Sequence, residues 1–270
     1  MRLILSRKGF DSAAGGGPSP ILPDGTLVSL PIPEPNRFRR YAELHSSAGS
    51  LDTMLASLRG EAVDAKCRAH LDPDLNIASC PRTKGWVPAF GQDSSAATHL
   101  DKQGVGVGDL FIFFGWFRQT EVRQGSLRFV SGAPDLHVCF GWLRVGRVLE
   151  SAIPGLEDHP HFRMRKLYDR NSRVYAASST EKGGVFPKFG RPLQLTRPNS
   201  AVRSDWELPG FFHPSRSPRP LSYHRNPDRW GRPAGRCTLR AVGRGQEVVL
   251  DVGVASEARE WATSLGVRTD

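Results

Sequence analysis

Two long apolar runs stand out in the hydrophobic pattern of the chain. The first, "GDLFIFFGWF" at residues 108–117, is almost continuously apolar and aromatic, which predicts an interior strand buried on both faces. The second, "HVCFGWLRVGRVL" at 137–149, repeats the FGWFR pattern of the first as FGWLR. Together they predict an antiparallel pair of strands, in which Gly115 and Gly141 bend the chain or admit a close neighbour.

Shorter patterns predict the elements around this pair. Residues 3–5, 191–196 and 245–252 have the apolar pattern of further strands. Apolar residues at helical spacing predict a helix capped by Asp52 and a last helix that starts near Ser256.

Proline limits the regular structure of the remainder. Residues 207–233 carry six prolines, which predicts an irregular meander. The patterns together predict an α+β fold in which residues 1–270 form a single domain. We expect a mixed, largely antiparallel central sheet flanked by a few helices and long proline-rich loops.

Charge and composition narrow the class of protein. The 37 Lys and Arg residues against 27 Asp and Glu give a net charge of +10, which favours polyanions such as nucleic acid or nucleotides. A genome whose codons favour arginine would explain the same surplus equally well. No run approaches the roughly twenty apolar residues of a membrane span, and the first apolar run is too short for a signal peptide. We therefore expect a cytoplasmic protein that does not span a membrane.

The four cysteines show no CxxC spacing. That pattern favours neither a zinc knuckle nor a disulfide framework. We expect reduced, mostly structural thiols.

The segment "HLDPD" is the first candidate for chemistry. Imidazole and carboxylate side chains are the usual materials of divalent metal sites and of acid–base catalysis. His70 and Asp72 match the HxD half of a two-histidine, one-carboxylate metal centre, and Asp74 is a further catalytic candidate. The competing interpretation is a turn around Pro73 capped by the two aspartates.

The segment "EDHPHF" offers a third metal ligand. His159 and His161 have HxH spacing, which in an extended segment directs both rings to one side. A solvated loop is the alternative.

The N-terminal segment "SRKGFD" is a candidate phosphate cradle. Arg7 and Lys8 precede a glycine-rich turn whose backbone N–H groups suit an anion, although no Walker motif is present. Asp11 is a candidate base or metal ligand. The alternative is an ordinary surface turn with an Arg/Asp pair.

Four more residues complete the candidate set. Gln92 is placed to read an amide or a base edge, and His99 to transfer protons, unless it lies on the surface of a short helix over 94–100. Arg225 is a candidate phosphate ligand. Glu247 is a candidate catalytic group, because "GQEVVLD" is similar to the glutamate strand of ADP-ribosyl transferases.

Several motifs in combination resemble the nucleotide modification associated domain 3 family. They include "LILSRKGFDS", "HLDPDL", "GVGDLFIFFGWFR", "HVCFGWLRVG", "LSYH" and "RGQEVVLD", and they extend from residue 2 to the last tryptophan. The resemblance implies a role in nucleotide or nucleic-acid modification without fixing a reaction.

Three functions follow as hypotheses. The first is an enzyme that modifies nucleic acid or nucleotides with a divalent metal, Fe(II) being favoured over zinc or manganese. The second is a non-catalytic reader with PUA-like barrel elements, in which Trp86, Trp116 and Trp142 stack on a modified base. The third is a metal-dependent enzyme that acts on a peptide or small molecule. The oligomeric state is left open.

Overall fold

The two apolar runs form neighbouring strands at the centre of the largest sheet in a computed structural model of the chain. The structure describes residues 1–34, 39–61, 64, 67–163, 171–217, 219–231, 235–243, 245, 247–253 and 256–268. The strands, in chain order, are β1 (Arg2–Arg7), β2 (Ser19–Ile21), β3 (Arg39–Arg40), β4 (His45–Ser46), β5 (Gly49–Ser50), β6 (Arg68–Ala69), β7 (Ala89–Gln92), β8 (Leu110–Arg123), β9 (Ser126–Phe129), β10 (Leu136–Arg144), β11 (Arg147–Leu149), β12 (Arg173–Ala176), β13 (Gly183–Val185), β14 (Asp205–Pro209), β15 (Arg236–Arg240) and β16 (Glu247–Asp251). The helices are α1 (Leu51–Arg59), α2 (Ser94–Lys102), α3 (Pro160–Arg163) and α4 (Ser256–Ser264).

The central sheet has the strand order β13-β10-β8-β1-β16, and β2 and β9 also pair with β8. The pairs of β8 with β1 and with β2 are parallel, and the other pairs are antiparallel. The predicted α+β class, with a mixed and largely antiparallel sheet, is confirmed. Within the described residues the sheet does not close into a barrel, although the strand pair on which the PUA-like expectation rested forms as β8 and β10.

The two glycines of the central pair have the predicted close neighbours. A Cβ atom on Gly115 would lie 2.7 Å from the carbonyl oxygen of Lys8. A Cβ on Gly141 would lie 2.6 Å from Leu75 and 2.9 Å from the carbonyl oxygen of Gly184. The register between β8 and β10 shifts next to Gly141, as in a β-bulge.

Aromatic side chains join the central sheet to a second, three-stranded sheet of order β11-β12-β7. Phe111 and Phe113 of β8 lie 5.1 and 5.2 Å from Phe90 of β7, measured between ring centroids, and Tyr175 of β12 lies 5.1 Å from Phe111. All four side chains are fully buried. The core between the sheets therefore fixes where β7 ends relative to β1.

Some boundaries differ from the sequence predictions. The cap of α1 is Ser50 rather than Asp52, which lies in the first turn. Residues 191–196 do not form a strand: Arg191–Leu193 is a 3₁₀ turn, and only isolated bridges follow at Gln194 and Thr196. Prolines at turn starts override the short apolar pattern there.

The remaining predictions hold more closely. The strands at residues 3–5 and 245–252 form as β1 and β16, and the last helix starts at Ser256 as α4. The proline-rich meander contains the end of β14 and short 3₁₀ turns. All four cysteines are free thiols.

Candidate functional site

A polar cavity of about 620 Å³ lies where four elements meet, and we call it the site cavity. β1 pairs with β16 in antiparallel register, so the end of β1 lies beside the start of β16, with Ser6 opposite Glu247. β7 ends at Gln92, and α2 begins two residues later at Ser94. The ends of three strands and the start of a helix therefore surround one space, as at many ligand sites.

His70 and Asp72 reach the site cavity from the loop after β6. The backbone of His70 is anchored by its N–H, which donates to the carbonyl of Ile32 at 2.9 Å. One oxygen of Asp72 accepts the backbone N–H of Gly91 at 2.7 Å. The Asp72 carboxylate is thus fixed to the end of β7, and both side chains line the cavity.

His159 and His161 also approach Asp72, from the segment that contains α3. They are not in an extended, solvated loop, because His161 lies in the single turn of α3, and both residues are buried. Nε2 of His159 lies 3.4 Å from Oδ1 of Asp72, and Nε2 of His161 lies 3.6 Å from Oδ2. The helical turn still brings both imidazoles to one carboxylate.

Gly91 makes this approach possible. A Cβ atom there would lie 2.2 Å from Cδ2 of the His161 ring. A residue with a side chain would displace the ring, so the glycine in "AFGQ" is required by the close packing of His161 on β7.

His161 and Asp72 alter one another's protonation. Burial would raise the pKa of Asp72, but hydrogen bonds and electrostatic attraction from the two imidazoles outweigh it and hold that pKa well below its usual value. Burial lowers the pKa of His161, against the opposing effect of Asp72. An ionised carboxylate between imidazoles is the protonation state that a metal site requires.

The donor atoms of His70, Asp72 and His161 all lie within 4.8 Å of one another. Nε2 of His70 is 3.9 Å from Oδ2 of Asp72, the oxygen that also faces His161. Ligands held about 2.1 Å from one ion in tetrahedral geometry lie about 3.4 Å apart. The three side chains therefore need only small shifts to bind a divalent metal, and the set is two imidazoles and one carboxylate.

Glu34 contacts His70 through the ring nitrogen that does not face Asp72. Its Oε2 lies 2.8 Å from Nδ1 of His70, which leaves Nε2 of that ring directed toward Asp72. A carboxylate on the far nitrogen of a ligating histidine fixes the ring and raises its basicity.

A second buried network also lines the cavity. Oε1 of Glu247 accepts from Gln92 Nε2 at 2.6 Å and from Ser6 at 3.3 Å, and it lies 2.9 Å from Lys8 Nζ. The Lys8 ammonium also lies 4.6 Å from the ring centroid of Phe90. Charge balance and the aromatic face together allow a lysine and a glutamate to be buried here.

Two cationic side chains and the start of a helix also line the cavity. Arg7 and Lys8 line it beside the first turn of α2, whose cap residue Asp93 makes no side-chain capping bond. The first-turn residues Ser94 and Ser95 also line the cavity. Backbone N–H groups at a helix start and arginine or lysine side chains are groups that can bind an anion.

Asp11 lines the same cavity but closes its own turn. Its Oδ1 accepts the backbone N–H groups of Ala13 and Ala14 at 2.8 and 2.7 Å. The predicted base or metal ligand is thus placed as a turn-forming aspartate at the rim, as in the alternative interpretation.

His99 lies on α2, as the competing prediction of a helix over 94–100 stated, but its ring also lines the cavity. Its Nε2 lies 3.1 Å from the hydroxyl of Ser222, and its ring lies 4.6 Å from that of Tyr223. Burial lowers the pKa of His99, and Glu247 opposes the shift. Burial therefore favours the neutral form of the His99 ring.

Three predicted site residues do not line the cavity. Asp74 forms a paired salt bridge with Arg82, both contacts being 2.6 Å, and accepts from Trp86 Nε1 at 3.0 Å. Arg225 is exposed, two residues beyond Tyr223, and does not line the cavity. His159 contacts Asp72 from outside the cavity lining. The structure therefore assembles nine of the twelve candidates around one space.

Sequence reasoning missed two residues of this site. Glu34 lies 36 positions from His70, and no local pattern connects them. Tyr223, in "LSYH", has a left-handed backbone with φ of 65° and an exposed ring at the rim. Strain of that kind often marks a functional position. Gln246, which completed the likeness to ADP-ribosyl transferases, lies outside the described residues.

The tryptophans proposed to stack on a base do not line the site cavity. Trp86 and Trp142 are buried in the core, which contradicts their proposed stacking on a base. Trp116 is half-buried, and the guanidinium of Arg203 lies 4.1 Å from its ring centroid.

The comparison with protein families gives the chain its identity. The model of the family described as nucleotide modification associated domain 3 matches residues 2–251. The chain belongs to this family. The match contains the whole site cavity, so the cavity is part of the nucleotide modification associated domain.

Other comparisons add no relative. No curated protein and no solved structure matches the chain. Among the described residues, no helix combines the length and apolar character needed to cross a bilayer.

Proposed function

We propose that this nucleotide modification associated domain is a metal-dependent enzyme that modifies nucleotides, either free or within nucleic acid. One observation carries the proposal: His70, Asp72 and His161 converge in the same cavity as Arg7 and Lys8. The two histidines and the aspartate are suited to bind a metal. The arginine and the lysine are suited to bind a phosphate. The family description supports nucleotide modification as the field of the activity.

The donor set favours Fe(II) over zinc or manganese. Two histidines and one carboxylate on one face, with coordination positions left open, are typical of non-haem iron centres. Bound iron would supply oxidative chemistry, whereas zinc or manganese would supply Lewis-acid chemistry for hydrolysis or group transfer. Glu34 and His159 would act as positioning residues for His70 and Asp72.

The other cavity residues have roles set by their contacts. Arg7, Lys8 and the start of α2 would bind the phosphate, with Glu247 fixing the Lys8 ammonium. The exposed ring of Tyr223 would stack on the base or sugar at the rim. Burial lowers the pKa of His99 and so favours its neutral ring, which would transfer a proton to or from the substrate.

Elemental analysis of the purified chain tests the metal. After anaerobic loading with Fe(II), zinc or manganese, we expect about one equivalent to be retained after dialysis, with iron held more tightly than manganese. His161→Ala and Asp72→Asn should each lose it. His213→Ala, a histidine in a turn outside the cavity, is the matched control. Full occupancy in both cavity variants, with folding confirmed by circular dichroism, would reject the site.

The same preparations separate the alternatives. Metal-free protein that binds modified bases selectively would favour the reader. Stoichiometric metal without affinity for any nucleotide would favour an enzyme acting on a peptide or small molecule. Stoichiometric metal together with nucleotide binding at the cavity is the outcome expected here.

A further inference from the structure

A second cavity, of about 370 Å³, shares Arg7 and Gly245 with the site cavity, and we call it the flanking cavity. Its other walls include His137, Arg203 and Trp206. Its volume falls in the range of pockets that hold a small ligand, about 300–1,000 Å³. Arg7 thus lines both the site cavity and the flanking cavity.

Two guanidinium groups give the flanking cavity its positive charge. Arg203 lies over the ring of Trp116, and Arg7 Nη2 donates to the carbonyl of Gly243 at 3.2 Å. Within the described part of the chain, neither forms an ion pair with a carboxylate. Asp135 also lines the cavity, but Arg118 holds its Oδ1 at 2.7 and 2.8 Å. The remaining charge at the wall therefore favours an anion.

His137 adds a neutral donor to the same wall. Its Nδ1 accepts the indole N–H of Trp206 at 2.9 Å, so the proton of the neutral ring lies on Nε2. Burial, and then the charges of Arg203 and Arg7, lower the pKa of His137 to about 3. A neutral N–H donor between cations suits an oxygen anion and avoids a third positive charge.

Much of the remaining lining is apolar, with Ser204 and His224 as polar exceptions. Phe114, Trp206 and Val248 provide buried hydrophobic surface, and Val202 is exposed at the edge. An inorganic ion would leave that surface unused, whereas a nucleoside phosphate has both an anion and a ring to place. The combination resembles surfaces that bind single-stranded nucleic acid, where cations follow the backbone and apolar surface contacts sugars and bases.

We propose that the flanking cavity binds the phosphodiester and the neighbouring nucleotide of a single strand whose target nucleotide occupies the site cavity. The inference rests on the proposed function and names its substrate class as a polynucleotide strand rather than a free mononucleotide. Arg7, common to both cavities, would contact the phosphate between the two nucleotides. Arg203 would contact only the flanking unit.

The test compares ligands of increasing length on the full chain. The probes are 5′-phosphorylated mononucleotides, nucleoside triphosphates and 5′-phosphorylated dinucleotides of all four bases, in deoxyribose and ribose forms. We expect dinucleotides of one sugar type to bind at least about tenfold more tightly than mononucleotides, as measured by calorimetry. Arg203→Ala should remove that gain and leave mononucleotide affinity unchanged.

Two further variants control for charge and folding. Arg203→Lys retains the charge and should keep part of the gain. Arg197→Ala removes an arginine that is paired with Asp205 at 2.7 Å outside both cavities, and it should bind like the wild type. Thermal unfolding of each variant confirms its fold.

Each contrary result has a distinct meaning. Equal affinity for mono- and dinucleotides, or a gain that survives in Arg203→Ala, overturns the strand proposal. A triphosphate that gains as much affinity as a dinucleotide, and loses it in Arg203→Ala, also overturns it and assigns the cavity to a polyphosphate chain. Metal uptake is measured on the same samples: uptake with no length dependence rejects this inference alone, whereas no uptake and no nucleotide binding rejects the proposed function.

Discussion

At the scale of single residues, the absence of a side chain at position 91 shapes the candidate metal site. Gly91 donates its N–H to Asp72 and leaves room for the His161 ring, so one position of β7 holds both ligands. His70 and His161 are 91 residues apart in the chain, yet their rings lie 5.3 Å apart between centroids. A small displacement of the backbone would separate the two rings. Substitution of Gly91 is therefore a sensitive test of the candidate metal site.

Gly91→Ala should lower the metal occupancy of a protein that remains folded. The added methyl group would lie 2.2 Å from the His161 ring and push it away from Asp72. We expect metal occupancy to fall and the free energy of unfolding to drop by about 1–3 kcal/mol. Gly17→Ala is the control, because a Cβ there meets nothing within 4 Å. Unchanged metal occupancy in Gly91→Ala would contradict the proposed role of His161.

At the scale of elements, β8 organises the molecule. It has four partner strands, and its first half is buried. The same strand ends in an exposed hairpin with β9. Stability should therefore depend strongly on position along this one strand.

Phe113→Ala should cost about 3–5 kcal/mol of unfolding free energy, because it opens a cavity between fully buried rings. Val122→Ala, in the same strand but 65% exposed, should change it by less than about 0.5 kcal/mol. Urea denaturation measures both. Similar losses at the two positions would show that the centre and the hairpin end of β8 contribute alike.

At the scale of the whole molecule, buried histidines connect stability to pH. Burial holds the pKa of His137 near 3, against 6.5 in an unfolded chain. Below pH 6.5 the His137 ring is therefore protonated in the unfolded state, whereas in the native state it stays neutral down to about pH 3. Unfolding is favoured progressively as the pH falls through that window, by at most about 5 kcal/mol.

His137→Gln should flatten this part of the acid stability curve. Glutamine keeps an oxygen acceptor for the Trp206 indole and removes the titrating ring. Stability at neutral pH is expected to drop modestly, while the slope between pH 6.5 and pH 3 decreases. Urea midpoints measured across that range check the prediction, and parallel curves for the wild type and the variant would refute it.

The sequence by itself determined the central strands, the α+β class and most of the candidate ligands. Short apolar runs rich in aromatic and β-branched residues favour strands buried on both faces. Segments such as "HLD" and "HPH" show by their composition where metal chemistry can lie. Those signals are local, because side-chain periodicity and turn chemistry act over a few residues.

Only the tertiary structure decided which candidates meet. Asp74 is two positions from Asp72, but its salt bridge with Arg82 holds it outside the cavity, whereas Glu247 meets Gln92 across 155 positions. The second contact depends on β16 pairing with β1 and on two sheets packing through Phe90 and Phe113. Strand pairing and core packing select partners among distant segments by shape and burial, and no local pattern encodes that choice.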